Sequence, residues 1–117
     1  MKKIPSILLM VSLLILLTIA GCAKVNYDEF AKCLTQNNVK MFGAFWCPHC
    51  ANQKEMFGSG FQYITYVECS NDDKTQNDLC KGENIKGYPT WEFKDKNRVS
   101  GELTFAKLSQ LSGCSLS

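Results

Sequence analysis

The chain has 117 residues, with thirteen lysines and arginines, eleven aspartates and glutamates, and seven cysteines. Two of the basic residues, Lys2 and Lys3, lie in an apolar leader, so the remainder is balanced in charge and has no basic run. That gives no reason to expect a nucleic-acid partner and little long-range steering of a charged one. So many cysteines in so short a chain, behind an export signal, are expected of an oxidising compartment.

Lys2 and Lys3 are followed by Ile4 to Ala20, broken only by Pro5, Ser6, Ser12 and Thr18. This is a secretory signal pattern, at the lower limit of length for spanning a bilayer. Leu17-Thr18-Ile19-Ala20-Gly21-Cys22 resembles the bacterial lipobox, which is cut before a diacylated cysteine. The resemblance implies a signal peptide over 1–21, lipidation of Cys22, a tether over 22–26 and one folded domain over 27–117. Cleavage would leave 96 residues, near the lower end for a self-sufficient core, where disulfides help. An uncleaved signal anchor is the competing reading, and both put the domain on the outer face of a membrane. Ala23 is not the aspartate associated with inner-membrane retention, so inner and outer membrane both stay open.

In the domain, Phe30, Ala31 and Leu34 at helical spacing predict a short helix from Tyr27 to Leu34, stopped by Asn37-Asn38. Val39 to Trp46, largely apolar, predicts a buried central strand. Cys47-Pro48-His49-Cys50 then opens a helix to Phe57, with proline at a tolerated first position and Gly58-Ser59-Gly60 as its end. Phe61 to Val67 alternates aromatic and β-branched residues and reads as the next strand. A polar loop with Asn71, Asp72 and Asp73 leads to a short helix around Thr75 to Cys80, giving a β-α-β unit with a parallel pair. Gly87 to Phe93 and Arg98 to Gly101, joined by Asp95-Lys96-Asn97, predict an antiparallel hairpin, and Leu103 to Leu111 a last helix.

The chemistry concentrates at Cys47 and Cys50. A cysteine at a helix N-terminus meets unpaired N–H groups and the positive end of the helix dipole, which favour thiolate over thiol. Cys47 is therefore the expected attacking sulfur, and Cys50, one turn on, the resolving one. Pro48 and His49 between them tune the pair. A histidine that stabilises the reduced form makes the disulfide a stronger oxidant. A zinc half-site needs a second ligand pair, but Cys69 and Cys80 are too far apart for a standard knuckle, so no metal is expected. A purely structural bridge over one turn would close too small a loop to stabilise much.

Phe45-Trp46-Cys47-Pro48-His49-Cys50 with Gly87-Tyr88-Pro89-Thr90 resembles the thioredoxin superfamily, and the Cys-Pro-His-Cys form that of DsbA-type oxidases. Gly43 to Cys50, Tyr66-Val67-Glu68-Cys69 and Tyr88-Pro89-Thr90-Trp91 resemble more closely the thioredoxin-like domain associated with bacterial vitamin K epoxide reductase homologues. The resemblance spans about Phe30 to Gly113. It implies an α/β, thioredoxin-like fold with a mixed sheet of about four strands flanked by helices, and no room for a large helical insertion. It also implies a cis Pro89 beside the redox pair and a substrate groove framed by Trp46, Tyr88 and Ile85. Four further cysteines allow three pairings, between which sequence alone does not choose. The related domains imply Cys69 with Cys80, and with it Cys33 with Cys114, joining first and last helices. One departure stands out: where thioredoxins and DsbA carry an acid six positions before the first catalytic cysteine, this chain has Met41. Glu68 is a candidate proton relay in its stead, or else a strand-end charge in solvent.

The resemblance implies an extracytoplasmic thiol-disulfide oxidoreductase without a bound cofactor, expected to be a monomer. It would donate its disulfide to cysteine-containing exported proteins and be reoxidised by a quinone-linked membrane partner of the vitamin K epoxide reductase or DsbB type. Reversed flow, as a tethered reductase or isomerase fed by a DsbD-like transporter, is the second reading. A non-enzymatic metal-binding or scaffold module is the third.

Overall fold

The computed structural model describes residue 21 and residues 25–116. The leader and Cys22 lie outside the described residues. Among those described, no helix is long and apolar enough to cross a membrane.

The first helix, α1 (Asp28–Gln36), buries Phe30, Ala31 and Leu34 and leads into the central strand β1 (Lys40–Gly43). Helix α2 (Pro48–Phe57) follows, continued by a 3-10 segment (Gly58–Tyr63) into β2 (Thr65–Glu68). A short α3 (Asp78–Gly82), the hairpin β3 (Thr90–Glu92) and β4 (Arg98–Ser100), and α4 (Phe105–Ser112) complete the fold. The sheet order is β2-β1-β3-β4, with β1 parallel to β2 and the other pairs antiparallel.

Alternation along β1 divides the core, because successive side chains point to opposite faces. Met41 packs with Trp91 beneath α1, α2 and α4, among Leu34, Phe57 and Leu108. Phe42 packs on the other face with Cys69, Cys80 and Ile85. Buried Gln53 on α2 crosses the larger layer: its Oε1 accepts from Trp91 Nε1 (3.2 Å) and Leu103 N (2.7 Å), while its Nε2 donates to Leu103 O (3.0 Å). Such a group is tolerated in the core because its polar atoms are paired.

The boundaries differ from the sequence expectations where local chemistry outweighs pattern. Phe61 to Tyr63 belong to the 3-10 segment, so the second strand begins at Thr65. At Gly60 a Cβ would lie 3.1 Å from the Tyr27 carbonyl carbon, so glycine lets this segment pack on the start of α1. Thr35 Oγ1 fixes the switch into β2, donating to Tyr63 O (2.7 Å) and accepting from Thr65 N (3.0 Å). The central strand stops at Gly43, because the chain must turn into α2 and Cys47 N bonds Ala44 O (3.0 Å). Helix α3 starts later than expected, since Asp73 accepts from Thr75 N and Asn77 caps Cys80 N. Strand β3 starts only after the Tyr88–Pro89 peptide, and α4 begins after Thr104, whose hydroxyl accepts from Lys107 N.

Candidate active site

Cys47 is the N-cap of α2, in extended conformation, and Pro48 fills the first helical position. Cys47 and Cys50 are free thiols. Both are buried, Cys50 completely. Cys47 Sγ lies 3.7 Å from the carbonyl oxygen of Tyr88, and the Tyr88–Pro89 bond is cis. Pro89 itself is buried, so what faces the thiol from that loop is Tyr88 backbone. Such a carbonyl, beside a sulfur at a helix start, can align an extended chain bearing a disulfide.

The rim of this site is apolar and open. Phe45 is 56% exposed and Trp46 41%, and the Trp46 indole stands edge-on to Tyr88 with centroids 6.0 Å apart. Trp46 Nε1 donates to Ser70 Oγ (2.9 Å), and Gln76 Nε2 donates to Tyr88 Oη (3.0 Å) and Ile85 O (2.8 Å). Trp46, Tyr88 and Ile85 thus border one groove of about 370 Å³, completed chiefly by Ser70, Gln76 and Lys86. His49 does not line it; its Nδ1 lies 2.9 Å from Glu102 Oε2.

Beneath the pair the environment is different. Burial, with the bond and charge of Cys47 adding to it, pushes the Cys50 thiol up to about 12, although the Ala44 backbone, second only to burial, and more weakly Lys54 pull it down. Met41, at the position where the resemblance would place an acid, is fully buried in the apolar layer. Glu68 stands at the end of β2, paired in register with Gly43. Its Oε1 accepts from Phe45 N (2.8 Å) and its Oε2 from Tyr66 Oη (2.5 Å). The Tyr66 hydroxyl is held far above the usual phenol range by burial, then by its bond to Glu68 and that carboxylate's charge.

The other cysteines among the described residues are joined Cys33–Cys114 and Cys69–Cys80, across sequence separations of 81 and 11. The first ties α1 to the residues after α4, and the second fastens the end of β2 to α3. Sequence reasoning passed over Tyr66, Gly43 and Glu102. Tyr66-Val67-Glu68 did carry a usable signal, because residues two apart on a strand share a face.

A four-stranded mixed sheet of this order, with a cysteine pair opening the helix after the central strand and a cis-proline opposite it, is a thioredoxin-like fold. The chain is 43% identical over 91 residues, 74% of its length, to the Arabidopsis thaliana protein named thiol-disulfide oxidoreductase LTO1, and spans 24% of that relative. Fasciola hepatica thioredoxin, known from an X-ray structure, aligns at a TM-score of 0.42 and 16% identity, over 78% of this chain and 96% of its own. No family model matches.

Proposed function

We propose that this protein is an extracytoplasmic thiol-disulfide oxidoreductase that works as an oxidase, passing the Cys47–Cys50 disulfide to cysteine-containing exported proteins. The observation that carries the reading is the pair itself: two free thiols at the start of α2, with Cys47 Sγ 3.7 Å from the carbonyl that precedes the cis-proline. Likeness to a relative named as a thiol-disulfide oxidoreductase supports the same activity.

A client thiolate attacks Cys47 Sγ of the oxidised pair, and Cys50 leaves. A second client thiolate attacks its own sulfur in the mixed disulfide and releases Cys47, so two electrons pass from client to enzyme. The helix terminus stabilises the Cys47 thiolate as it leaves, which favours oxidation of the client. Lipid at Cys22 would hold the domain at the outer face of a membrane, near a quinone-linked partner of the vitamin K epoxide reductase or DsbB type that restores the disulfide. The tether, that partner and the monomeric state belong to the same proposal.

The reduction potential of the Cys47–Cys50 couple, measured against glutathione with acid trapping, tests the direction. A value toward about −120 mV supports the oxidase, and one near about −270 mV overturns it in favour of a reductase fed by a DsbD-like donor. Oxidation of reduced ribonuclease by the wild-type domain tests the activity. Stoichiometric copper or zinc binding without that activity would make it a metal-binding module instead.

A further inference from the structure

We propose that Tyr66 and Glu68 form a proton relay for Cys50, with Tyr66 Oη passing protons between the buried sulfur and the Glu68 carboxylate. The inference rests on the redox reading above.

The relay is built by three strand positions. Tyr66 and Glu68, two residues apart, share a face of β2, and their partners in β1 are Met41 and Gly43. Met41 fills its share of that face with an apolar side chain, while Gly43 leaves a gap. A Cβ on Gly43 would lie 3.1 Å from Cys50 Sγ, 3.2 Å from Tyr66 Oη and 2.8 Å from Tyr66 Cε2. The sulfur and the hydroxyl therefore converge on the space where a side chain would stand. From there the hydroxyl donates to Glu68 Oε2 at 2.5 Å, and Phe45 N–H fixes the other carboxylate oxygen at 2.8 Å.

Polarity and access fit the task. The hydroxyl's proton is committed to Glu68, so its lone pairs are left to accept from Cys50. Glu68 is half-buried and can exchange its proton with solvent, which fully buried Cys50 cannot. The titratable and charged groups around Cys50 are Cys47 and Lys54 from α2, and Tyr66 and Glu68 from β2. Lys54 Nζ lies 4.1 Å from the Tyr66 ring centroid. β1 offers Gly43 and Met41 there, and β3 the uncharged Trp91.

When the reduced pair is reoxidised, Cys47 thiolate attacks a partner disulfide and one partner sulfur leaves as thiolate. Cys50 then gives its proton to Tyr66 Oη as Tyr66 gives its own to Glu68. The Cys50 thiolate attacks Cys47 Sγ, the Cys47–Cys50 bond forms, and the second partner sulfur leaves with the electron pair. Two electrons have moved from enzyme to partner, and Glu68 sheds the proton to water. When the pair oxidises a client, the departing Cys50 thiolate is protonated along the same path.

Equimolar dithiodipyridine added to the reduced domain separates the steps. The first thiopyridone reports attack by Cys47 and the second its displacement by Cys50. Tyr66→Phe, which keeps the ring, is expected to lower the ratio of second to first rate on the order of a hundredfold, the lower end of what a positioned acid or base contributes. It should also shift the second phase's pH profile upward. Glu68→Gln should do likewise, and decides the matter alone if Tyr66→Phe does not fold. Because the two act in series, the double variant should be no slower than the slower single one. Unchanged second-phase rates and pH profiles in both variants, or additive losses in the double, overturn the relay alone. A wild-type domain that shows no second phase and cannot oxidise reduced ribonuclease overturns the relay together with the redox reading.

Discussion

Glu68 and Glu92 stand at opposite ends of the central strand, paired with Gly43 and Lys40, and on opposite faces of the sheet. Glu92 is 3% exposed and surrounded by cations: Arg98 at 2.7 Å, Lys96 at 3.5 Å and Lys40 at 3.6 Å. Burial would raise its pKa, but the Arg98 bond and the charges of Arg98, Lys40 and Lys96 outweigh it and hold the carboxyl below its usual range. Glu68 has a hydroxyl and an amide as its partners, and no ion pair reaches it among the described residues. A carboxylate enclosed by charge is fixed as an anion and serves as a joint. One held by a hydroxyl and an amide alone has no such charge around it, and this is the place the proposed relay gives to Glu68.

The sharpest way to break this contrast is at the charged end. Arg98 also bonds the backbone and carboxylate of Glu83, after α3, so it clamps the hairpin to the loop below. Arg98→Met strips the main partner from a buried carboxylate and is expected to cost about 3–5 kcal/mol in urea unfolding. Glu92→Leu combined with Arg98→Met removes both charges and should recover most of that loss. The redox kinetics of Cys50 should follow the wild type in the double variant, since no part of this network reaches the Glu68 end.

The Cys69–Cys80 bridge tests the other end. It begins one residue after Glu68 and closes a short stretch of sequence separation 11, so C69S/C80S should cost about 2–3 kcal/mol. Losing it loosens the end of β2, while the Arg98 clamp stays intact. The Cys50 step should therefore slow in this variant and remain normal in C33S/C114S, whose bridge ties α1 to the residues after α4 and does not touch the end of β2. Equal slowing in both would mean that general loosening, not the position of Glu68, governs the step.

Why one end was legible in the sequence and the other was not follows from the same contrast. The order of helices and strands shows through apolar spacing, as Phe30, Ala31 and Leu34 demonstrate on α1. Cys47 and Cys50 are conspicuous because two thiols one turn apart after an apolar run have few bland uses. Glu92 was hidden, since a glutamate inside a strand pattern looks like a solvated position until Lys40, Lys96 and Arg98 converge from three segments. Gln53 was hidden for the same reason, its partners Trp91 and Leu103 lying far along the chain. The second strand starts later than its pattern suggests because aromatic alternation at Phe61 to Tyr63 suits a 3-10 turn packed on α1 equally well. Glu68 stands out in the sequence only because Met41 occupies the position of an acid, whereas the place of Tyr66 emerges only in the fold, through what Gly43 lacks.

Gly43 is the position where that gap can be closed directly. Gly43→Ala puts a methyl group where Tyr66 Cε2 is 2.8 Å away and Cys50 Sγ 3.1 Å away, so one of them must move. Overpacking of this kind is expected to cost about 1–3 kcal/mol. The Glu92 end, three residues back along β1, should keep its ion pairs. A variant that unfolds at the wild-type urea midpoint would mean that the space is already slack.

The smallest effect appears only in alkali, and only in one redox state. The Cys50 thiol, ordinarily near 9.0, is pushed up to about 12 in the folded reduced domain. As pH rises past about 9, the unfolded chain releases this proton first, so the reduced fold keeps its full contribution below that point and loses it progressively toward 12. The oxidised domain has no such thiol in either state. Tyr66, also raised, weakens both forms in alkali and largely cancels in their difference. Glu92, lowered, contributes above its ordinary 4.5 and loses that contribution as pH falls, again in both forms. Urea midpoints of the two forms should therefore run parallel at acidic and neutral pH and separate above about 9, with the reduced form falling faster. Parallel curves throughout would mean that Cys50 titrates as an ordinary thiol, and the buried end of the strand would then have no need of a proton carrier.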